Sequence, residues 1–307
     1  MPVLSRLKEL ISMKDLSKDQ ILHFLEQAQY YKKNPNSNIA QGKVMASLFF
    51  EPSTRTRLSF EAAMKRLGGS VIGFDHAQNS SESKGETLQD SIRVIAYYVD
   101  LIVLRHPLQG AARFAKEVCD KPLINAGDGA NQHPSQTLID LFSIKETQVS
   151  LENLNIALVG DLLNGRTAHS LVQALSHFNP RIYFIAAKGL NLPRSLCRQL
   201  IDKRIKFSFH EKIEQVLPKL DILYMTRLQK ERLEIRFDQQ TYINAVSLDS
   251  ELLQNLAKEN LKILHPLPRL GELPSQIDSS PHAYYFEQAG HGLAVRQALL
   301  AHFLEDL

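Results

Sequence analysis

The run Phe50-Glu51-Pro52-Ser53-Thr54-Arg55-Thr56-Arg57 gathers hydroxyl and guanidinium groups into a few consecutive residues. It follows an apolar run, Val44 to Phe50, that reads as a buried strand, and it opens a segment with Phe60, Met64 and Leu67 on one helical side. The chemistry this implies is anion binding. The first N–H groups of a helix have no partner inside the helix, and the helix dipole favours negative charge at that end. Hydroxyls at 53, 54 and 56 would add neutral hydrogen bonds, and an arginine a bidentate, charge-assisted one. Such a pocket holds phosphate without a glycine-rich loop. The plainer alternative is a Ser N-cap followed by two solvated arginines.

A second cluster lies downstream. The segment Asn155-Ile156-Ala157-Leu158-Val159-Gly160-Asp161 reads as a strand, and a helix follows from about Arg166. That order puts Arg166 at the carboxyl edge of a sheet, where open α/β folds bind ligands. No G-x-G-x-x-G pattern is present, so a dinucleotide site is not expected. The cysteines, Cys119 and Cys197, are far apart and form no C-x-x-C, which argues against a zinc ribbon or a redox dithiol. Neither a metal nor a cofactor is expected.

These residues need a scaffold of alternating strands and helices. Ser17 and Gln20 have capping-box spacing, with Ile21, Leu22, Leu25 and Ala28 as the apolar face behind them. Gly68 is placed to end the helix that starts at Ser53. Strands are expected at 70–74, 101–104, 122–125, 182–187, 221–225 and 262–264, with helices at 87–98, 110–119, 136–147 and 287–303. The alternation favours parallel α/β layers. With 307 residues the chain exceeds the usual single domain. Two three-layer α/β domains, each with a mainly parallel sheet, are therefore expected. Residues 1–135 plus 287–307 would form one domain and 136–286 the other.

Composition sets further bounds. A formal charge of +3, from 36 basic and 33 acidic residues, gives no general attraction to nucleic acid or membrane. No stretch is long and apolar enough to span a bilayer, and the N-terminus carries acids and breaks its apolar run early. A cytoplasmic protein is expected.

Taken together, several segments resemble the aspartate/ornithine carbamoyltransferase family. Ser53-Thr54-Arg55-Thr56-Arg57 is similar to its carbamoyl-phosphate signature, and Ser83-Lys84-Gly85-Glu86-Thr87 to its mobile basic loop. Arg105-His106-Pro107 and His133-Pro134-Ser135-Gln136 follow in the family's order. The resemblance implies that an amine attacks the carbamoyl carbon, a charged tetrahedral species forms, and phosphate leaves. Catalysis is then mainly positioning plus stabilisation of charge growing on oxygen. On this resemblance Ser53, Thr54, Arg55 and Thr56 hold the phosphate, with Arg57 behind them. Thr56, Arg105 and His133 converge on the carbamoyl oxygen and Gln136 on the carbamoyl nitrogen. His133 would act as a hydrogen-bond donor to the oxyanion, with the departing phosphate as proton acceptor. Ser80 and Lys84 would reach the active site of a neighbouring subunit, which implies a homotrimer with shared sites. Position 83 is serine where relatives often carry a second lysine.

The acceptor is read from the second half. Aspartate brings two carboxylates and calls for cationic forks, whereas ornithine's extra ammonium would call for acids. The segment from Asp221 to Arg232 resembles the family's aspartate-binding stretch, and His265-Pro266-Leu267-Pro268-Arg269 stands where ornithine enzymes carry H-C-L-P. The ornithine S-M-G signature is absent. Arg166, Arg227 and Gln229 would then take the aspartate carboxylates, and the carbonyls of Pro266 and Leu267 the attacking amine. The resemblance also implies a cis Leu267–Pro268 peptide and two domains that close around an interdomain active site. Glu51 would bridge the domains in the closed state through Arg166 and Arg232. The implied reaction is carbamoylation of L-aspartate, early in pyrimidine biosynthesis. The alternatives are a transcarbamoylase for ornithine or another amine, and a catalytically silent scaffold subunit. Leu163-Asn164 differ from regulated enteric relatives, Leu270-Gly271-Glu272 replaces a common Val-Asp-Glu, and 233–250 matches poorly, so a regulatory chain remains a possible partner and inherited nucleotide control is not implied.

Overall fold

A computed structural model describes residues 7–76, 85–229, 242–243 and 246–305. The chain divides into two units, 1–142 with 291–307, and 143–290. Both divisions fall inside helices, where the sequence reading placed them at or near helix starts. Each unit is built on a five-stranded sheet whose strand pairs are all parallel.

In the first unit the strands are β1 (Glu9–Leu10), β2 (Val44–Phe49), β3 (Ser70–Phe74), β4 (Leu101–His106) and β5 (Leu123–Asp128). Their order across the sheet is β1-β5-β4-β2-β3. The flanking helices are α1 (Lys18–Lys33), α2 (Thr54–Arg66), α3 (Leu88–Ile95) and α4 (Ala111–Glu117). Strands β4 and β5 are buried along their whole length, as continuous apolar runs covered on both faces should be. The expected capping box is present at α1, with Ser17 Oγ accepting from Gln20 N–H and the Gln20 side chain accepting from Ser17 N–H. Gly68, at φ +86°, ends α2. The Gly68 N–H bonds to Lys65 O and the Gly69 N–H to Met64 O, a pairing that satisfies the last carbonyls of the helix.

Helix α5 (Pro134–Gln148) carries the chain into the second unit. There β6 (Asn155–Val159), β7 (Arg181–Ile185), β8 (Lys206–His210), β9 (Ile222–Met225) and β10 (Lys262–Leu264) lie in the order β10-β9-β6-β7-β8. Helices α6 (Arg166–Leu175), α7 (Arg194–Asp202) and α8 (Ser250–Leu256) belong to this unit. A cluster including Val159, Ile185, Leu223, Met225, Tyr242 and Ile263 forms its core. Strand β8 and helix α7 were not expected from sequence. The strand is an edge whose residues are half-buried or exposed, so it lacks the apolar run that marked its neighbours.

The last helix, α9 (Tyr285–Leu304), returns the chain to the first unit. Arg296 fixes it there. Its guanidinium lies 4.8 Å from the Phe60 ring centroid and donates to Ser59 Oγ, both on α2. Complete burial pushes the Arg296 pKa down to about 9. No helix among the described residues is long and apolar enough to cross a membrane.

Gly160 shows how tightly the second sheet's carboxyl edge is built. Its φ is +123°, and an added Cβ would lie 2.2 Å from Thr226 O. Replacing it with alanine strains the backbone and pushes β9 away from β6. Gly160→Ala should therefore lower the free energy of unfolding by roughly 2–4 kcal/mol. Urea denaturation measures this, and an unchanged midpoint would mean that the two strand ends are not packed this closely.

Candidate active site

Parallel strands place every strand-to-helix loop on the same edge, so neighbouring strands bring their loops together. In the first unit the adjacent strands β5, β4 and β2 end at the loop before His133, at Arg105 and at the loop carrying Ser53. Register sets Phe49 beside Arg105, and Phe50 N–H donates to Arg105 O at 2.9 Å. Two chain segments far apart in sequence thus end side by side.

Ser53 occupies the N-cap of α2, but its side chain makes no capping hydrogen bond. The first helical bond runs from Arg57 N–H to Ser53 O, so the N–H groups of residues 54–56 precede the helix's own ladder. This differs from the plain Ser-capped helix. Thr56 is buried, while Thr54 and Arg55 are exposed on the first turn. Arg57 lies 3.7 Å from both Glu61 and Asp75, so its charge is directed along the helix rather than over its start.

Arg105 is buried, and its guanidinium donates to Glu51 Oε1 at 2.5 Å and to Ala126 O at 3.4 Å. The pair fixes the arginine's plane. Beside it, His106 accepts from Leu108 N–H through Nδ1. Burial lowers the His106 pKa, with the charges of Asp128 and Glu51 opposing the shift. A neutral imidazole here leaves Arg105 without a second competing cation.

His133 immediately precedes α5, and its carbonyl accepts from Gln136 and Thr137 N–H groups. Its Nδ1 lies 3.4 Å from Ser135 Oγ. Gln136 Nε2 donates to Asp140 Oδ1 at 2.9 Å, which leaves the amide's carbonyl oxygen as the end able to accept an N–H. The loop before His133 is organised by Asp128, which is 1% exposed. Its carboxylate accepts from Asn125 Nδ2, Gln132 N–H, Asn131 Nδ2 and Gly110 N–H at 2.9–3.1 Å. Sequence reasoning missed Asp128, because nothing in its own segment marks an acid that also holds Gly110 N–H on another strand's loop.

In the second unit, β10, β9 and β6 are neighbours, and their carboxyl ends lead to His265, Arg227 and Arg166. Arg166 begins α6 and is buried. The loop before it is held by Asp161, fully buried, which accepts from Asn164 N–H and Asn164 Nδ2. The same carboxylate accepts from Gln229 N–H at 3.1 Å, tying the β9 loop to the β6 loop. Arg227 Nη1 donates to Leu228 O, and Gln229 Nε2 to Arg227 O. Pro266 and Leu267 follow β10, and the Leu267–Pro268 peptide is cis. Asp161 was recognised only as part of a strand-end motif, and Glu272 only as part of a family pattern. Ser80, Lys84 and Arg232 lie outside the described residues. No group of His, Cys, Asp and Glu able to hold a metal ion occurs among the described residues.

Residues 8–146 match the family model "Aspartate/ornithine carbamoyltransferase, carbamoyl-P binding domain", and residues 152–303 match "Aspartate/ornithine carbamoyltransferase, Asp/Orn binding domain". The chain belongs to the aspartate/ornithine carbamoyltransferase family. Within that family it is 53% identical over 305 residues to an aspartate carbamoyltransferase catalytic subunit of Vibrio campbellii, covering 97% of each chain. The catalytic subunit of M. jannaschii aspartate transcarbamoylase superposes with a TM-score of 0.90 at 45% identity, over 98% of this chain and 99% of that one. A Trypanosoma cruzi aspartate transcarbamoylase in complex with carbamoyl phosphate and aspartate gives 0.89 at 36% identity, over 98% of both chains. The boundary between the matched family domains, near 146–152, lies close to the division between the structural units.

The Asp128 network yields a direct test. Asp128→Ala strands two buried donors, Asn125 Nδ2 and Gln132 N–H, and loosens two half-buried ones; each buried donor costs about 1–3 kcal/mol when left unpaired. The variant should lose roughly 3 kcal/mol or more of stability in a denaturant titration. A loss below about 1 kcal/mol would show that the loop before His133 is held by other contacts.

Proposed function

We infer that the chain transfers the carbamoyl group of carbamoyl phosphate to the amino group of L-aspartate. The products are N-carbamoyl-L-aspartate and phosphate, an early step of pyrimidine biosynthesis. The observation that carries this is the match to aspartate carbamoyltransferase catalytic subunits over 97% of the chain.

The geometry supports specific roles. The uncapped start of α2 supports phosphate binding by Ser53, Thr54, Arg55 and Thr56. Arg105, oriented by Glu51, and His133 supply the charge and hydrogen bonds that stabilise negative charge on the carbamoyl oxygen, together with Thr56. Gln136 accepts from the carbamoyl N–H₂ through its carbonyl oxygen. The leaving phosphate accepts the amine's proton, so no separate side-chain base is required. The first unit is thus the carbamoyl-phosphate domain.

Aspartate falls to the second unit. Arg166, Arg227 and Gln229 bind its carboxylates, and the carbonyls of Pro266 and Leu267 take hydrogen bonds from its amino group. Glu51 and Arg232 favour the closed state. Ser80 and Lys84 complete a neighbouring subunit's site, so the working unit is a homotrimer in the cytoplasm.

Purified enzyme assayed with aspartate and ornithine side by side tests the reaction. Turnover with aspartate alone is expected, and ornithine preference would overturn the roles given to Arg227 and Pro266. Arg105→Ala should lower kcat by roughly 10²–10³-fold. Light scattering should return three times the 34.8 kDa chain mass. A monomer of full activity would contradict the shared site, and extra mass in protein from the native source would reveal a regulatory chain.

A further inference from the structure

The two residues after His265 carry the carbonyls assigned above to the incoming amine, and a buried pair of side chains that the reaction does not use holds this turn. His265 and Glu272 are each 1% exposed. Leu267 N–H donates to His265 Nδ1 at 2.8 Å. A backbone N–H can only donate, so Nδ1 is the unprotonated nitrogen. Imidazole must carry at least one N–H, which therefore sits on Nε2, 2.9 Å from Glu272 Oε1. The carboxylate is the acceptor there. It also accepts the N–H groups of Leu270 at 3.2 Å and Gly271 at 3.1 Å. The backbone N–H of His265 itself is held by Gln288 Oε1 at 2.8 Å. The donors all run one way, from the Leu267 N–H through the imidazole to the Glu272 carboxylate.

That direction has a geometric consequence. Leu267 has φ of +55°, a region that L residues with branched side chains avoid. The conformation persists only where neighbours enforce it. The Pro266–Leu267 peptide is planar and trans, so its N–H and C=O point in opposite directions. Fixing the Leu267 N–H on Nδ1 therefore fixes the Pro266 carbonyl, which points away from the imidazole. A proton on Nδ1 would set two donors against each other and release the plane.

We propose that Glu272 and His265 form a positioning relay for the acceptor amine. Glu272 selects the Nε2–H tautomer of His265, the imidazole orients the Pro266–Leu267 peptide, and the peptide aims the Pro266 carbonyl. The proposal rests on the reading that this carbonyl receives the amino group of aspartate. His265 and Glu272 touch neither substrate, so they are positioning residues.

The test combines ¹⁵N NMR of the imidazoles in the intact wild-type protein with kinetics of three variants. His265→Leu removes the acceptor. His265→Asn restores one, because Asn Oδ1 stands the same number of bonds from Cα as Nδ1. Glu272→Gln replaces the carboxylate with an amide whose N–H₂ faces donors. The wild-type spectrum should show His265 protonated on Nε2 alone. His265→Leu should raise the aspartate KM about tenfold, the equivalent of one hydrogen bond, and leave carbamoyl phosphate affinity within about twofold. His265→Asn should recover most of that loss, and Glu272→Gln should mix the tautomers. Protonation on Nδ1 in an active wild-type enzyme overturns the relay, as does an asparagine variant no better than leucine. A wild-type enzyme that does not carbamoylate aspartate overturns the functional reading instead, whatever the tautomer. Should the leucine variant not fold, the wild-type tautomer still decides the matter.

Discussion

The open N-terminus of α2 is the feature on which the first unit depends. A helix start presents N–H groups that its own ladder cannot satisfy, and anions are the natural partners. Here the N-cap serine makes no capping bond, so the helix's own cap leaves that turn available. The surroundings preserve that availability. Arg57, which could have spread its charge over the same turn, is directed toward Glu61 and Asp75. Arg296 secures the body of the helix through Ser59 and Phe60, away from the first turn. The strand order then brings Arg105 and the His133 loop beside this start, so that a phosphoryl ligand and the group attached to it would meet different residues.

Buried acids do much of the orienting, and they do it in both units. Asp128, Asp161 and Glu272 are each almost inaccessible; the first two join a distant loop to their own, and Glu272 gathers the donors of its own turn. Burial alone would push the Glu272 carboxyl up, but the hydrogen bond from His265 and those from nearby backbone N–H groups hold it below the ordinary value. An ionised acid fixed in this way stiffens a loop without presenting itself to substrate. Arg55 and Arg227, the cations proposed to meet substrate, are by contrast exposed and half-buried.

Much of this was legible in the sequence wherever the signal is local. The Ser17–Gln20 capping box, the stop at Gly68 and the helix beginning after Ser53 depend on a few consecutive residues, and each is found, as is the cis Leu267–Pro268 peptide that the family resemblance implied. The buried strands were readable because full burial demands unbroken apolar runs. Strand β8 was not, since an edge strand reading Lys-Phe-Ser-Phe-His needs no such run. Nor were the networks around Asp128 and Asp161. Each ties its own loop to a donor on a loop that only the sheet order makes a neighbour, and no spacing rule connects Gly110 to Asp128 or Gln229 to Asp161. The Glu51–Arg105 pair was missed for the same reason, although both residues had been singled out for other roles.

The central claim is that one set of residues at the carboxyl edge of the first sheet binds the phosphoryl group and another at that of the second binds the carboxylates. Calorimetric titration with a bisubstrate analogue carrying a phosphonate and the two aspartate carboxylates tests it most directly. Saturable binding is expected, weakened about tenfold or more by Arg55→Ala and, independently, by Arg166→Ala. No heat of binding in the wild type, or affinity unchanged in both variants, would contradict the account.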